Sequence, residues 1–447
     1  MYTSGTSGRP KGVMLTNQNA VSTLRNCIGS FQSTENCALL SYLPLAHIFE
    51  TMIEFLCILT GGHVGYFSGD IKLIASDLVE LRPHYFVGVP RVFDKMYSRV
   101  MASVADASFV KRWLFHFALK RGIDQTHCAA SLTRPKSLDA LVWSKLRQKL
   151  GFDRVKHLVT GGAPCPTHLI EFLRVMTAGE VLQGYGLTET FAVVSLTNGD
   201  DPNLGQMGLP LNCEIKLESV ADTDYDPNGA EARGELTLRG ECLFKGYFRD
   251  EARTREAVRD GWFYTGDVCR LNPNNTISVI DRIKAIFKLS QGEYVSPEVV
   301  EIAYGRSGAV NQIYIYGDST KPFLVAVIVP DVNWALELLS DIQETKTAKS
   351  QLSSNSITEF VETFEKLCSE NDLKLNSEMQ KTLTNFEENL SGFEKIRKVH
   401  LEYKIDNQFN GFSPENGLLT PSFKLRRTFL SKRYKKILDS LYEKMGI

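Results

Sequence analysis

The chain has 447 residues, 43% of them hydrophobic and 23% charged, and a net charge of −1. This length predicts more than one domain with a buried core, and the composition excludes a largely disordered chain. The balanced charge gives no reason to expect nucleic acid as a partner. The 9 cysteines are scattered without a C-x-x-C pair, which predicts reduced thiols and argues against a zinc site.

Membrane-spanning and secretory segments are not expected. The most apolar stretch, residues 52–67, contains Glu54, His63 and three glycines and is too short to span a bilayer. A glycine-rich loop stands where a signal peptide would carry its charged region. A domain that opens on such a loop, with no strand before it, is expected to be truncated, so that any amino-terminal anchor would precede it.

Strand-like and helix-like patterns alternate along the first part of the chain. Residues 39–45 predict a buried strand that leads through Pro44 into a helix, and residues 64–67 and 85–89 predict further strands. Helical patterns occupy residues 73–81 and begin again at Arg91. This rhythm predicts an α/β architecture with a largely parallel sheet.

An apolar stripe marks the helix predicted between residues 104 and 121. Its members share one helical face and basic residues flank it; the stripe is Phe109, Val110, Trp113, Leu114 and Phe117, and the flanking residues are Lys111, Arg112, Lys120 and Arg121. One interpretation is a helix that lies on a membrane surface. The favoured interpretation is ordinary packing of the stripe onto the sheet.

The pattern then changes twice. Strands predicted over residues 155–159 and 180–183 end in the glycine-rich loops TGGAP and GYGLTET, where open α/β sheets bind ligands. Residues 205–266 predict a small β subdomain of short strands and turns. After Arg282 the pattern is α+β, with a strong strand over residues 323–329 and, over residues 341–390, surface helices joined by polar loops.

The opening stretch YTSGTSGRPKGVM has the composition of a phosphate-binding loop. Glycines allow positive φ and close approach to an anion, and the amides, hydroxyls and cations can hold phosphate oxygens. It is not a Walker A loop, because Pro10 and Gly12 stand where Gly and Ser or Thr are required. A flexible linker is the alternative. The candidate phosphate-binding residues are Thr3, Ser4, Gly5, Thr6, Ser7, Gly8 and Lys11.

Six motifs occur in the order typical of adenylate-forming enzymes, and the chain resembles that superfamily, in particular its long-chain acyl-CoA synthetases. The motifs are YTSGTSGRPKG, LPLAHIFE, QGYGLTET, DGWFYTGD, IDRIKAIFKLSQGEYVSPEVVE and GLLTPSFKLRR. The resemblance implies a large adenylating α/β domain over residues 1–281, incomplete at its amino end. It also implies a smaller, mobile α+β lid domain over residues 282–447, with a hinge near residues 281–284.

By the same resemblance, ATP would activate a long-chain fatty acid to an acyl-adenylate with release of pyrophosphate, and CoA would then take the acyl group. The resemblance implies ATP, Mg²⁺ and CoA as bound species. It places such enzymes at the cytosolic face of the endoplasmic reticulum, the mitochondrial outer membrane or the peroxisome, attached through a preceding amino-terminal region. The oligomeric state stays open.

QGYGLTET carries side chains suited to a nucleotide. Tyr185 offers a face for stacking adenine, Thr188 a hydroxyl for the α-phosphate or the acyl carboxylate, and Glu189 a hard oxygen for Mg²⁺. The alternative is a helix start at which Thr188 and Glu189 act as capping residues. Loop residues that would approach the nucleotide are Gly162, Ala163, Pro164, Gly184 and Gly186.

Asp267, at the end of GWFYTGD, can accept hydrogen bonds from both ribose hydroxyls, and Arg282 can add a charge-assisted contact to ribose or phosphate. A turn-forming Asp and a surface ion pair are the alternative, whereas by resemblance these positions bind the ribose. His47 in LPLAHIFE would by resemblance line the active site near the acyl carboxylate, although a lone His in an apolar stretch is usually structural.

By resemblance, Lys424 reaches the site from the small domain, where its ammonium would stabilise the charge that develops on the α-phosphorus. Lys284 matches the hinge about which the small domain turns between adenylation and thioester formation. Ala285 departs from the family, in which many members carry an acidic residue or His. The rotation would withdraw Lys424 and bring toward CoA the residues Gly292, Glu293 and Tyr294.

Two other functions stay open. An adenylating relative could use another acid or acceptor, although no carrier-type Ser motif follows in the sequence. The chain could also be an inactive nucleotide-binding fragment, because loss of an amino-terminal part would expose sheet edges and apolar faces.

Overall fold

The computed structural model describes residues 1–3, 10–29, 37–70, 73–128, 136–177, 179–199, 201, 203–221, 223, 225–354, 356–420 and 423–443. The chain separates into two compact units, Met1–Val279 and Ile280–Ile447. The sequence places the boundary two residues later, after residue 281. No helix within the described ranges combines the length and the apolarity needed to cross a membrane.

In the described part of the first unit, the main sheet has seven strands in the order β4-β3-β5-β6-β7-β8-β9. Neighbours from β4 to β7 are parallel, and β8 and β9 are added antiparallel. The strands from the amino end are β1 (Tyr2–Thr3), β2 (Lys11–Met14), β3 (Ala38–Ser41), β4 (His63–Tyr66), β5 (Tyr85–Gly88), β6 (His157–Gly161), β7 (Glu180–Tyr185), β8 (Ser195–Leu196) and β9 (Leu209–Pro210).

Helices cover both faces of this sheet. They are α1 (Asn17–Ile28), α2 (Ile48–Leu59), α3 (Ile74–Leu81), α4 (Pro90–Ala105), α5 (Phe109–Cys128), α6 (Lys136–Leu138), α7 (Ser144–Leu150) and α8 (Thr167–Met176), with a π-helical segment at Asp139–Trp143 and a 3₁₀ turn at Thr188–Thr190. Successive strand residues point to opposite faces. Leu158 and Val181 therefore join the core under α3, α4, α5 and α8, whereas Val159 and Leu182 join the core under α1 and α2. The predicted α/β architecture with a largely parallel sheet is confirmed.

Short strands and turns follow, as predicted for a small β subdomain. They are β10 (Glu214–Glu218), β11 (Arg233–Arg239), β12 (Gly246–Tyr247), α9 (Glu251–Ala257), β13 (Val258–Arg259), β14 (Trp262–Leu271) and β15 (Ile277–Arg282). Among the described residues, β10, β11, β14 and β13 form one sheet in that order with β15 beside β14, and β12 joins β2 and β1 in another.

The second unit is α+β, as predicted. Its elements are β16 (Phe287–Lys288), β17 (Tyr294–Val295), α10 (Pro297–Gly305), β18 (Val310–Tyr316), β19 (Leu324–Pro330), α11 (Val332–Leu338), α12 (Gln343–Ser353), α13 (Ile357–Glu370), α14 (Asp372–Thr384), β20 (Ile396–Leu401) and α15 (Arg427–Glu443), with a 3₁₀ turn at Gly392–Glu394. Every residue of β19 is buried, which confirms the strong strand. The helices between residues 341 and 390 are more than surface elements, because Phe360, Phe364, Leu375 and Met379 are fully buried.

The favoured interpretation of the apolar stripe on α5 is wrong. Phe109, Val110, Trp113 and Phe117 are exposed and Leu114 is half-buried, and α5 packs through the opposite face instead. That face carries the buried Phe115 and small residues, which a search for large apolar side chains does not detect.

Candidate functional site

Two glycine-rich loops meet at the carboxyl edge of the main sheet. The parallel register aligns Thr160 with Gln183 and Gly161 with Gly184, so the loops that follow β6 and β7 lie side by side. Gly162 has a φ of +80°, which favours glycine. A Cβ on Gly186 would lie 1.3 Å from the carbonyl oxygen of Ala192, so a side chain at this position would require the loop to move. The edge therefore presents closely approachable backbone, as the sequence predicts.

A lysine, a tyrosine and a glutamate form one cluster beside the loop after β7. Lys11 lies on β2 and Tyr247 on β12, which pair antiparallel with Val13 opposite Tyr247. The Lys11 ammonium donates to Glu189 Oε1 at 3.2 Å and to Tyr247 Oη at 2.8 Å. The Tyr247 hydroxyl in turn donates to the same Glu189 Oε1 at 2.8 Å. A cation from the opening motif is thus held against the carboxylate of QGYGLTET.

Burial strengthens this cluster. The side chain of Glu189 is 7% exposed and that of Lys11 26%, so the ion pair is screened less than one at the surface. The Lys11 ammonium also lies 4.4 Å from the centroid of the Tyr247 ring, within cation–π range. The amide of Phe244 donates to the Glu189 carbonyl at 2.8 Å and fixes the backbone of the loop. Tyr247 is not identifiable from the sequence, in which its one signal is a Gly-Tyr pair that forms a short strand.

Tyr185 and Asp267 form a second pair. The Tyr185 hydroxyl donates to Asp267 Oδ2 at 2.7 Å, and both residues are buried. The Asp267 amide donates to Thr265 Oγ1 at 3.1 Å, and the amide of Gly266, with a φ of +74°, donates to Glu235 Oε1 at 2.9 Å. Burial raises the pKa of Glu235, and the charge of Asp267 adds to the increase. The turn GWFYTGD is thereby locked, and Asp267 is oriented by Tyr185.

His47 has a structural role at the start of α2. Its Nδ1 accepts a hydrogen bond at 3.3 Å from the amide of Phe49, which caps the helix. The Phe49 ring lies 3.8 Å from where a Cβ on Gly161 would be, so this helix start approaches the end of β6. The capping contact agrees with the structural interpretation and leaves the predicted catalytic role of His47 a prediction.

The other predicted residues of the first unit fall into two groups. Thr3 is half-buried and lies opposite Lys11 in the β1–β2 pair, whereas Ser4, Gly5, Thr6, Ser7 and Gly8 lie outside the described residues. Thr188 and Pro164 are half-buried and Ala163 is exposed at the loop edge. Among the described residues, no group of three or more His, Cys, Asp or Glu side chains could hold a metal without help from a ligand.

Within the second unit, Arg282 and Lys284 are exposed on a turn in which the Arg282 carbonyl accepts from the amides of Ala285 at 2.8 Å and Ile286 at 3.1 Å. Asp281, just before the turn, is fully buried and accepts from the Ser296 hydroxyl at 2.6 Å. The predicted hinge residues therefore lie on a defined turn, and their role as a hinge stays a prediction.

Lys424 is exposed and contacts the backbone and side chain of Thr420. Its carbonyl accepts from the amide of Thr420 at 2.9 Å, its amide donates to Thr420 Oγ1 at 3.1 Å, and Phe423 has a φ of +61°. Gly292 and Glu293 are exposed, and Tyr294 is half-buried with the Lys288 ammonium 5.0 Å from its ring centroid. A buried ion pair supports this region, since Arg427 donates to both carboxylate oxygens of Glu301 at 2.9 and 2.7 Å.

The sheet edge, its paired glycine-rich loops and the two polar clusters define an α/β fold with a candidate ligand site at the carboxyl ends of β6 and β7. Residues 1–248 match the family of AMP-binding enzymes. The chain belongs to this AMP-binding enzyme family.

Curated relatives match almost the whole chain. It is 39% identical over 459 residues to long chain acyl-CoA synthetase 4 of Arabidopsis thaliana, covering 99% of this chain and 64% of that protein. It is 39% identical over 447 residues to fatty acyl-CoA synthetase A of Dictyostelium discoideum, with coverages of 99% and 63%. It is 37% identical over 456 residues to long-chain-fatty-acid–CoA ligase 1 of Homo sapiens, with coverages of 100% and 61%. The chain thus spans less than two thirds of the length of these relatives.

Solved structures share the fold at lower identity. The adenylation domain of a carboxylate reductase from Mycobacterium chelonae superposes with a TM-score of 0.74 at 24% identity, covering 99% of this chain and 59% of that one. O-succinylbenzoate coenzyme A synthetase from Bacillus subtilis, in complex with ATP and magnesium, superposes with a TM-score of 0.63 at 20% identity, with coverages of 96% and 69%. These likenesses establish a shared fold.

Proposed function

We propose that this protein activates long-chain fatty acids. The fatty carboxylate attacks the α-phosphorus of ATP and expels pyrophosphate, and the thiol of CoA then displaces AMP from the acyl-adenylate. The observation that carries the proposal is the cluster of Lys11, Tyr247 and Glu189 beside the loop after β7. The names of the curated relatives support the choice of acid and acceptor.

The cluster suits a triphosphate because phosphoryl chemistry depends mainly on positioning and charge stabilisation. The Lys11 ammonium, which the buried Glu189 and Tyr247 hold in place, would contact the β- and γ-phosphates of ATP. Asp267, oriented by the Tyr185 hydroxyl, would accept the ribose hydroxyls. Adenine would lie against the backbone of the loop at Gly162 and the face of Tyr185.

Glu189 also fits a magnesium ion brought with ATP. Mg²⁺ is typically held by one or two carboxylates together with phosphate oxygens, and Glu189 supplies one hard carboxylate beside the proposed phosphate site. When bound, the ion would neutralise charge on the phosphate oxygens. The chain's own contribution is a carboxylate already fixed by Lys11 and Tyr247, so it need not reorganise on binding.

The second unit is proposed to supply the catalytic lysine and the CoA side of the site. Lys424 is exposed, as a residue that must reach a phosphate needs to be. The exposed turn at Arg282 and Lys284 suits a hinge that absorbs a change in backbone angles. Gly292, Glu293 and Tyr294 are proposed to face CoA after that change. We further propose that the enzyme works at the cytosolic face of an intracellular membrane.

The test is ATP–pyrophosphate exchange with acids from short to very long chain, followed by thioester formation with CoA. We expect exchange to depend on a long-chain acid and AMP to appear with the acyl-CoA. Formation of ADP would overturn the proposal, and so would the absence of exchange with every acid while nucleotide still binds. Exchange with an aromatic or short acid alone would favour a different adenylating enzyme.

A matched pair of tyrosine variants tests the cluster itself. Tyr247→Phe retains the ring but removes the hydroxyl that contacts both Lys11 and Glu189, and we expect about tenfold slower exchange. Tyr225→Phe, at a buried position on the β10–β11 connection, should leave the rate unchanged. Equal exchange rates for the wild type and Tyr247→Phe would show that the cluster does not contribute to adenylation, and the proposal would lose its main support.

A further inference from the structure

The outer face of α5 carries an aromatic stripe that the fold of this unit does not use. Phe109 is 72% exposed, Val110 69%, Trp113 58% and Phe117 44%. At about 100° per residue, these four positions fall within roughly one quarter to one third of the helix circumference. The rings of Trp113 and Phe117 stack at a centroid distance of 5.4 Å and an angle of 8°. Side chains of this size are rarely left in water together without a reason.

Packing of α5 depends on the opposite face. Phe115, Ala118 and Gly122 are buried there, at positions three and four residues apart that share one side of the helix. A Cβ on Gly122 would lie 2.5 Å from a methyl carbon of Val175 on α8, so the two helices approach closely. Because α5 is fixed by this small-residue face, the aromatic stripe is not a displaced part of the core.

Charge is distributed around the stripe in a way that suits an anionic surface. Three exposed cations, Arg112, Lys120 and Arg121, lie on the side of α5 that carries the stripe, whereas the exposed Lys111 lies toward the packing side by helical geometry. Arg112 and Arg121 lie on opposite flanks of the stripe and Lys120 lies in line with it, one turn beyond Phe117, by helical geometry. The exposed Asp124 also lies in line with the stripe, one turn beyond Lys120, and His116 is exposed beside Arg112. The net charge of this face is positive.

We propose that α5 is a membrane-surface helix that docks on a bilayer containing anionic lipid. The aromatic stripe enters the headgroup–acyl boundary, where amphipathic aromatic rings are favoured, and the flanking cations contact lipid phosphates. A second copy of the chain fits this face less well, because pairing two stripes would bring two sets of cations together. The inference does not depend on the proposed catalysis, although a lipid surface is where a long-chain fatty acid would be found.

The first test is co-sedimentation of the full chain with vesicles of phosphatidylcholine alone or with about 30 mol% phosphatidylserine. We expect binding to the anionic vesicles that weakens as salt is raised. Phe109→Ser/Trp113→Ser should lower the partition coefficient roughly tenfold or more. Arg112→Gln/Arg121→Gln, which removes the two flanking cations, should lower it about fivefold per charge on anionic vesicles.

Controls match each double variant in chemistry but not in place. Leu373→Ser alters an apolar side chain that is 89% exposed on α14, and Lys432→Gln/Lys435→Gln removes two exposed cations from α15. Both should bind vesicles like the wild type. Equal loss in the α15 variant would show nonspecific attraction by charge and overturn the proposal. The proposal would also be overturned if the wild-type chain never bound vesicles and instead formed a dimer that Phe109→Ser/Trp113→Ser dissociates.

A second readout locates the contact without disturbing binding. Lipids brominated on their acyl chains quench tryptophan fluorescence on contact, and Trp113 is one of 4 tryptophans in the chain. We expect quenching in the wild type and loss of that quenching in Trp113→Phe, which retains an aromatic ring and should still sediment with vesicles. Undiminished quenching in Trp113→Phe would refute the assignment to α5. These measurements need neither ATP nor a fatty acid, so a failure of membrane binding can be distinguished from a failure of the proposed reaction.

Discussion

Replacing Glu50 with glutamine should stabilise the first unit, and by an amount that depends on pH. Glu50 lies on α2 and is fully buried. Burial raises its pKa to about 7; the nearby Ser41 side chain opposes the increase, and the negative charge of Glu54, one turn later, adds to it. Glu54 is itself buried and accepts a 3.5 Å hydrogen bond from Tyr66. The fold therefore contains a carboxyl group that stays protonated at pH values well above the ordinary pKa of a glutamate.

The sign follows from proton linkage. Between the ordinary pKa of 4.5 and the folded value of about 7, the unfolded chain has lost the Glu50 proton and the folded chain has kept it. The free energy of unfolding therefore falls as pH rises through this window and levels off above it. At 1.36 kcal/mol per pKa unit the loss comes to ~3 kcal/mol. Glu50→Gln should be more stable than the wild type by about this amount at pH 8 and no different near pH 4.

The assay is urea unfolding at a series of pH values, followed by fluorescence in a Trp334→Phe background. Trp334 lies in the second unit, so its removal leaves tryptophans of the first unit to report. This separation is needed because burial and the charge of Asp281 raise the pKa of Glu298, in the second unit, to about 7 as well. Glu54→Gln should make the free energy of unfolding depend less steeply on pH, because it removes the charge that, besides burial, raises the pKa of Glu50. An identical pH slope in Glu50→Gln and its parent would refute the reasoning.

Three further changes have distinct expected results. Gly186→Ala should abolish ATP–pyrophosphate exchange without unfolding the chain by circular dichroism, because its Cβ would collide with the carbonyl of Ala192. Glu301→Gln should cost ~3 kcal/mol in urea unfolding, since it leaves the Arg427 guanidinium without its bidentate partner, and adding Arg427→Met should restore most of the loss. Lys424→Ala should slow adenylation by roughly a hundredfold or more while a supplied acyl-adenylate still reacts with CoA.

The Gly186 and Lys424 variants each have a control within the chain. Gly305→Ala adds a Cβ on α10 where nothing lies within 4 Å, so exchange should be unaffected. Lys432→Ala removes an exposed lysine from α15 and should leave adenylation intact. The reasoning behind Gly186→Ala would be contradicted by normal exchange. The reasoning behind Glu301→Gln would be contradicted if the Glu301 and Arg427 losses were additive in the double variant. The reasoning behind Lys424→Ala would be contradicted if both half-reactions were lost in parallel.

The strands and the two glycine-rich loops could be predicted because their signals are local. A parallel strand buried on both faces reads as a continuous apolar run, and the loop after it needs residues that permit a tight turn. Those signals placed Gly162 and Gly186 near one edge, and the register of β6 and β7 confirms that their loops are adjacent. The contact of Lys11 with Glu189 spans 178 residues, so only the order of the motifs indicated it.

The face of α5 that packs against the protein could not be predicted from the same local signals. Helical periodicity identifies an apolar stripe but not the surface that meets it, and the stripe with Trp113 is more apolar than the face that packs. Close approach of α5 to α8 is achieved through Ala118 and Gly122, which carry little or no side chain. Small residues that allow two helices to touch are therefore hidden from a search that ranks faces by hydrophobicity.

Tyr247 and Glu50 show why the remaining chemistry needed the fold. Neither stands out by residue type: one is an aromatic residue on a two-residue strand, and the other is an acid in the first turn of a helix, where acids are common. Tyr247 acquires its role because β12 pairs with β2, which brings its hydroxyl to Lys11 and Glu189 at once. Glu50 acquires its pKa because the surrounding side chains exclude water from it. The partners of Tyr247 are distant in sequence, and the main cause of the Glu50 pKa is burial, so neither property can be recognised until the surrounding strands and helices have been placed.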